Sequence, residues 1–322
     1  MPKFCRHGTV IESCPICRAG AELEQRTAAQ GAVRRAQPKR SQSSLRSRKA
    51  TAAGPGRLMV RHEARAADDG FRSGLAPGLR SSADAERLAD ELARASGRLQ
   101  ALRDEPPGLY REVADEPDLE EASWLAFLIA YLGPLEDEDP FASVRERRTS
   151  WHSGELPVLD GAELGPRTAH DPSRGTTTLT AYRRFAQRQG SQAGAFAADP
   201  SWTATQRLER LFERLTLPGL HRRARYDLLV TLGQLDRYPL AAGTLLLSED
   251  DPVTRAAKRV FGIGDRLTLE RRVREVAAAS EVPVAAFDLA LENWASPTRS
   301  SGGAPEALDP DARDRASAAL GL

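Results

Sequence analysis

The stretch AAKRVFGIGDRLTLERRVREVAAASEVPVAAFDLALENW, residues 256–294, decides the fold that we predict for this chain. Its apolar spacing indicates one helix, a tight turn at Gly262-Ile263-Gly264, a second helix, and a third helix that Pro283 opens. Both glycines permit positive φ or a close backbone approach, so the second helix can present its free N–H groups to a phosphate. The pattern predicts a helix-hairpin-helix element, with Gly262, Gly264 and Arg266 as candidate contacts to a DNA backbone.

A second candidate hairpin lies upstream, at Leu217-Pro218-Gly219-Leu220. It has the proline and the first glycine of the usual hairpin turn, and His221 stands where the second glycine belongs. The helix predicted over residues 221–232 carries arginines in its first turn, where they are well placed for phosphate. A plain corner between two helices explains the same pattern. The candidate DNA contacts of this hairpin are Gly219, Arg222, Arg223 and Arg225.

Helical periodicity extends over most of residues 81–298 and predicts an all-α domain. A capping box, Thr203-x-x-Gln206, opens one helix, and a helix that is apolar almost all round ends at Gly133-Pro134. The predicted helices upstream of the Gly262 turn include residues 82–103, 120–132, 176–198, 221–232 and 237–247.

The loop over residues 133–175 is a candidate wall of the predicted site. A stretch this long without regular structure is uncommon in a compact domain unless it carries function or contains short helices. Its His152 and His170 are either acid/base groups or ordinary solvated side chains. In the following helix, Arg183 and Gln187 suit hydrogen bonds to phosphates and base edges, or a hydrated surface.

Three segments, AKRVFGIGD (257–265), VPVAAFDLALENW (282–294) and AYRRFAQRQGSQAGAF (181–196), carry a resemblance to a known superfamily. Together they resemble the helix-hairpin-helix DNA glycosylases, and most closely the branch called α-glutamyl/putrescinyl thymine pyrophosphorylases. The resemblance implies an enzyme that extracts a modified thymine from the stacked bases of phage DNA and replaces a pyrophosphate on its 5-methylene group with an amine. Two positions depart from the hairpin pattern. Phe261 replaces a proline, and Asp265 stands where it would cap the next helix and take N–H groups that a phosphate would use.

The resemblance also implies two candidate catalytic residues, Asp288 and Lys258. In helix-hairpin-helix glycosylases an aspartate beyond the hairpin stabilises positive charge as the base leaves, and Asp288 occupies the corresponding place. Bifunctional members carry a lysine just after the hairpin glycines that forms a Schiff base. Because Lys258 precedes the glycines and Arg266 has the nearer position, lyase activity is not expected.

The charge of the chain is strongly asymmetric, although the net charge is +1. Residues 1–80 contain 16 Lys and Arg against 6 Asp and Glu, and no carboxylate occurs between Arg26 and Arg61. The acidic excess is concentrated between Asp104 and Asp139. A basic arm is typical of nucleic-acid binders, since the neutralisation of phosphates releases counterions. A solvated tail that associates with the acidic segment is the alternative.

All three cysteines of the chain lie near the N-terminus, in the pattern C-x-H-x6-C-x2-C. Two close pairs separated by a short loop suit the tetrahedral coordination of zinc. Four protein ligands leave no open position for water, so the ion is predicted to be structural. Free thiols or a redox pair are the alternatives. The predicted zinc ligands are Cys5, His7, Cys14 and Cys17.

These patterns divide the chain into a zinc knuckle (1–23), a basic disordered linker (24–80), an all-α helix-hairpin-helix glycosylase-like domain (81–298) and a C-terminal tail (299–322). The predicted function is a DNA-binding protein that acts on a flipped, modified base, as a thymine-derivative pyrophosphorylase or a glycosylase-like enzyme. The alternative is a non-catalytic, zinc-containing module that binds DNA, or binds a protein partner through the knuckle. With no apolar run long enough to span a bilayer and no signal segment, we expect no membrane association and a cytoplasmic location.

Overall fold

The computed structural model describes residues 66–249, 251–262 and 264–322. As predicted, these residues are all-α, with twelve helices and no strand. None of the helices is at once long enough and apolar enough to cross a membrane. The predicted zinc knuckle and most of the basic linker lie outside the described residues. The helices are α1 (Ser82–Asp104), α2 (Leu109–Asp115), α3 (Leu119–Leu132), α4 (Ala142–Arg147), α5 (Gly175–Arg188), α6 (Gln192–Ala197), α7 (Ala204–Arg214), α8 (Arg222–Gln234), α9 (Pro252–Phe261), α10 (Arg266–Ser280), α11 (Ala286–Ala295) and α12 (Pro310–Leu320).

Helix α3 lies in the core, as its all-round apolar sequence indicated, and α2, α6 and α8 pack around it. Its side chains Trp124, Phe127 and Tyr131 are at most 1 % exposed. Their rings stack in succession, with centroids 5.4 and 5.5 Å apart. Burying a side chain of the size of Phe127 stabilises the folded state by about 1.5–3 kcal/mol. Gly133 then ends the helix with a φ of 74°, which a side chain would disfavour.

The C-terminal residues 299–322 fold against the helical body, where the sequence indicated a tail. Helix α12 packs on α1 and α10, and its Ala312, Ala316 and Leu320 are at most 1 % exposed. These residues recur every four positions and form one face of the helix. The face is short and rich in alanine, so it stands out little in the sequence although it allows close helix packing.

The N-terminal boundary of the domain also differs from the predicted residue 81, because described residues before it pack on the helical body. Ala76 and Leu79 are at most 1 % exposed, and the amide of Gly78 donates to the Val260 carbonyl oxygen at 2.8 Å. A Cβ on Gly78 would lie 2.1 Å from the Arg259 carbonyl oxygen. This segment therefore docks on the end of α9, a long-range contact that local periodicity does not reveal.

The helix predicted over residues 176–198 is two helices, α5 and α6. Gly190 between them has a φ of 85°, and Ser191 caps α6 by accepting a hydrogen bond from the Gly194 amide at 2.8 Å. Serine is among the residues most favoured at a helix N-cap. The break therefore follows from local capping chemistry.

The helix predicted over residues 237–247 does not form. The amides of Leu245 and Leu247 donate instead to the carboxylate of Glu270 on α10, at 2.7 and 2.9 Å. Buried amides need a partner, and a distant carboxylate supplies it here in place of intrahelical carbonyls. Residues far along the chain thus override a local apolar pattern.

Candidate functional site

Helices α9 and α10 are joined by a short connection that begins with Gly262 at a φ of 81°. Asp265 caps α10, as predicted, by accepting a hydrogen bond from the Thr268 amide at 2.7 Å. That hydrogen bond holds the pKa of Asp265 below its ordinary value. At the other end of the connection, Arg272 donates to the Phe261 carbonyl oxygen and so satisfies the C-terminus of α9.

Both glycines of this turn are partly exposed. Among the described residues, a Cβ on Gly262 would meet only Nη1 of Arg272, at 3.4 Å, and one on Gly264 would approach no atom closer than 3.2 Å. Lys258, in the last turn of α9, and Arg266, at the start of α10, are both exposed. The structure thus brings four predicted residues to one end of the α9–α10 pair: Gly262, Gly264, Arg266 and Lys258.

The second candidate hairpin, at residues 217–220 between α7 and α8, packs its turn on the protein itself. Thr178 on α5 donates to the Pro218 carbonyl oxygen at 2.8 Å. A Cβ on Gly219, whose φ is 77°, would lie 2.2 Å from Oγ1 of Thr178. Gly219 therefore allows the turn to pack closely on α5. This agrees with the alternative interpretation of the pattern, a plain corner between two helices.

The three arginines after this turn are engaged within the protein, and none is exposed. Arg222 is 5 % exposed and its guanidinium pairs with Asp288. Arg223 pairs with Glu292, and Arg225 donates at 3.0 Å to a backbone carbonyl oxygen of α7. The first turn of α8 therefore directs its arginines towards partners within the protein, and only Arg222 among them is buried.

Asp288 lies in the first turn of α11, which begins at Ala286 and not at Pro283 as predicted. It is 1 % exposed, and its two carboxylate oxygens accept hydrogen bonds from Arg167 and Arg222. Burial would raise the pKa of Asp288, but the two adjacent guanidinium groups outweigh burial and hold that pKa below its ordinary value. Asp288 is therefore an ionised carboxylate with both oxygens occupied.

Arg167, in the loop between α4 and α5, connects the charged groups around Asp288. Its Nε donates to Asp227 on α8 at 2.9 Å, and its other nitrogens donate to Asp288 and Glu292 on α11. Burial would lower the pKa of Arg167, yet the three carboxylates raise it. The sequence did not single out this residue, because no local pattern distinguishes one arginine in a polar loop. We call the following side chains the ion network: Arg167, Arg222, Arg223, Asp227, Asp288 and Glu292.

Arg183 and Gln187, both predicted to contact DNA, have different surroundings. Arg183 donates to the backbone carbonyl oxygens of Trp151 and Glu155 at 3.1 and 3.0 Å. Its guanidinium carbon also lies 4.3 Å from the centroid of the Trp151 ring. Arg183 thereby holds the preceding loop on α5, whereas Gln187, one turn further along, is exposed.

A groove of about 650 Å³ opens beside the ion network. Arg167 and Glu292 line it, together with exposed carboxylates that include Glu136 and Glu163. Asp288 is not among the lining residues. The groove is therefore next to the candidate catalytic aspartate but does not expose it.

The predicted zinc ligands Cys5, His7, Cys14 and Cys17 lie outside the described residues. Within the part of the chain that the structure describes, no group of three or more His, Cys, Asp or Glu could hold a metal ion. The zinc prediction therefore stands on the identity and spacing of its ligands.

Comparison with known proteins assigns no family to this chain. No protein-family model, no curated protein and no solved structure matches it. Geometry and charge of the described residues are therefore the basis for a functional proposal.

Proposed function

We propose that this protein binds duplex DNA through the turn end of α9 and α10, which we call the hairpin surface and define by Lys258, Gly262, Gly264 and Arg266. Residues 252–280 contain seven basic and three acidic side chains, whereas the rest of residues 81–322 contains 23 basic and 36 acidic ones. Within residues 81–322, DNA is attracted to the hairpin and repelled by the rest, so charge favours an encounter at this end of the domain. This reversal of charge at a partly exposed glycine turn is the observation that carries the proposal.

Side chains and the glycine backbone, rather than the first amides of α10, supply the phosphate contacts. Asp265 already accepts from the Thr268 amide and places a negative charge at this helix end. Lys258 and Arg266 are exposed at the two helix ends that meet at the turn. Contacts of this kind position the protein on the sugar–phosphate backbone without specifying a base sequence.

The ion network favours the non-catalytic form of this hypothesis, a DNA-binding module. A catalytic aspartate must reach the reacting atoms, and both oxygens of Asp288 are engaged by buried arginines. A nucleophilic lysine is activated by burial or by neighbouring cations in an apolar setting, and Lys258 is exposed. Both candidate catalytic residues therefore fit roles in stability and in backbone binding better than base chemistry.

Removal of the two exposed cations tests the hairpin surface. We expect the full-length double variant Lys258→Ala/Arg266→Ala to bind duplex DNA about tenfold more weakly. The magnitude of the slope of the logarithm of the association constant against the logarithm of the salt concentration is expected to decrease by about two. Fluorescence anisotropy of a labelled duplex over a salt series measures both quantities.

The matched control removes two exposed arginines elsewhere, in Arg184→Ala/Arg214→Ala. If binding follows only the overall charge, or belongs to the basic arm, the two double variants will weaken it equally or not at all, and the hairpin proposal fails.

Action on an extruded base is the second candidate function, and the groove beside the ion network supports it. Its volume of about 650 Å³ falls in the range of small-molecule sites, roughly 300–1,000 Å³. An enzyme of this kind must hold a base outside the stack. Nucleoside analysis by mass spectrometry, after incubation with duplexes that contain modified thymines, tests it. A base that the wild type alters and Glu163→Gln leaves unaltered supports the enzyme. Bases that stay unaltered at saturating binding contradict it.

We also propose that the N-terminal motif binds one structural zinc ion. Thiolate and imidazole ligands in two close pairs are the set that structural zinc prefers. Metal analysis of the full-length protein is expected to give about one zinc per chain. Cys17→Ser is expected to lose the zinc, and Ser13→Ala is expected to retain it. A metal-free wild-type protein, purified without chelator, would exclude the site.

A further inference from the structure

Residues 76–79, which precede α1, form a tight turn that packs on the C-terminal end of α9. The Leu79 amide donates to the Ala76 carbonyl oxygen at 3.0 Å, and Pro77 and Gly78 are the central residues of the turn. Proline is favoured at the second position of such turns because its ring fixes φ. Ala76 and Leu79 are at most 1 % exposed and anchor the turn. We call residues 76–79 the docked segment.

The docked segment contacts α9 through the backbone of Gly78. The Gly78 amide donates to the Val260 carbonyl oxygen at 2.8 Å. A Cβ on Gly78 would lie 2.1 and 2.7 Å from the carbonyl oxygens of Arg259 and Val260, so that the backbone of one element would have to move. A side chain at position 78 therefore pushes the docked segment off α9.

The next carbonyl of α9 is held by a second distant group, since the Phe261 carbonyl oxygen accepts a hydrogen bond from Arg272 on α10. The last carbonyls of a helix have no partner within it, so Gly78 and Arg272 satisfy two carbonyls that the helix leaves unpaired. Gly262 follows Phe261 directly, and two residues of chain span at most about 7 Å. The docked segment therefore holds the chain close to the point where it enters the hairpin surface.

We propose that the docked segment positions the hairpin surface for DNA, with Gly78 as the positioning residue, and that bound DNA in turn holds the segment on α9. This inference rests on the proposed DNA binding through the hairpin surface. Gly262 offers a phosphate only its backbone, so its contact depends on where the end of α9 stands. A turn that is fixed before binding loses less conformational freedom when the ligand arrives. Coupling between two sites is reciprocal, so docking and DNA binding favour each other by the same factor.

The DNA affinity of the full-length variant Gly78→Ala tests the positioning role. We expect this variant to bind duplex DNA about fivefold more weakly, the lower end of typical coupling between sites. The matched control is Gly74→Ala, because Gly74 is exposed and a Cβ on it would meet no atom within 4 Å. The control is expected to bind as the wild type does. Urea denaturation of both variants establishes that they are folded under the conditions of the titration.

Hydrogen exchange of the wild-type protein, followed by mass spectrometry, tests the inference without any substitution. Saturating duplex DNA is expected to slow exchange of the Gly78 amide about fivefold, because bound DNA disfavours the undocked state by the coupling factor. A segment that served only the stability of the fold would not respond to DNA in this way. The control is the Gly194 amide, which Ser191 holds at 2.8 Å. It lies in α6, which packs on α3 and α5, and its exchange is expected to stay unchanged.

Two results overturn the inference and leave the DNA-binding proposal intact. One is wild-type affinity in a folded Gly78→Ala variant, and the other is unchanged exchange of the Gly78 amide in saturating DNA. If Gly78→Ala does not fold, the exchange measurement on the wild type decides alone. Absence of DNA binding by the wild type, or binding that Lys258→Ala/Arg266→Ala does not weaken, removes the proposed function and this inference together.

Discussion

Two buried arginines depend on Asp288. Arg167 and Arg222 are 4 and 5 % exposed, so water cannot replace a lost carboxylate. Asp288→Asn removes the negative charge but keeps the side-chain volume. We expect the free energy of unfolding to fall by about 3 kcal/mol, the lower end for a broken buried pair, because Arg167 keeps Asp227 and Glu292.

Urea denaturation measures this loss, with Asp137→Asn as the control in an exposed position. The control is expected to change the free energy of unfolding by less than about 0.5 kcal/mol. An equally small change in Asp288→Asn would mean that the ion network does not stabilise the fold.

His170 gives the fold a dependence on pH. It is 9 % exposed, its Nδ1 lies 3.2 Å from the Tyr131 hydroxyl oxygen, and burial lowers its pKa. The unfolded chain therefore takes up a proton first as the pH falls below about 6.5. Its contribution to stability is complete above that value and is lost as the pH falls towards the lowered pKa.

His152 acts in the opposite direction, because its hydrogen bond to Asp118 raises its pKa. Its contribution is present below about pH 6.5 and is lost as the pH rises through the raised pKa. The two histidines must therefore be separated. In a His152→Gln background, we expect the thermal midpoint of unfolding to decrease as the pH is lowered from about 7 to 5. Adding His170→Gln is expected to make that decrease smaller. Parallel curves with and without His170 would assign the pH dependence to other groups.

At the scale of the element, the residue that caps α10 repels the phosphate that we propose as a ligand of the α9–α10 pair. Asp265 caps α10 but places a negative charge where a phosphate is expected. Asn is as good an N-cap as Asp, so Asp265→Asn removes the charge and keeps the cap. We expect severalfold tighter DNA binding at low salt, with stability changed by less than about 0.5 kcal/mol.

The same anisotropy titration measures the change, with Asp311→Asn as the control in the first turn of α12. Equal affinities of the wild type and Asp265→Asn at low salt would place the phosphates away from the start of α10.

At the scale of the molecule, the last helix, α12, packs on α1. Leu320 is 1 % exposed and Leu322, two residues on, is 43 % exposed. We expect Leu320→Ala to lower the free energy of unfolding by about 2–3 kcal/mol, a typical cost of an internal cavity. Urea denaturation of Leu320→Ala and of the control Leu322→Ala measures the difference. Equal stabilities of the two variants would mean that the last turn of α12 contributes little to the domain.

The sequence by itself predicted the elements whose formation depends on nearby residues. The all-round apolar run ending at Gly133 indicated the buried helix α3, and the capping box of Thr203 and Gln206 is present at the start of α7. The cap at Asp265 was predicted for the same reason. Side-chain spacing and capping act within a few residues, so local pattern is sufficient to recognise them.

Tertiary structure alone decided which of the charged residues face solvent. Arg222 and Arg223 have the sequence context of phosphate contacts, yet Asp288 and Glu292, more than sixty residues away, draw them inward. Arg167 becomes the centre of the network although nothing near it in the chain marks it. The cost of burying a charge is met only by a partner from another helix, and that partner is set by packing, which no local pattern encodes.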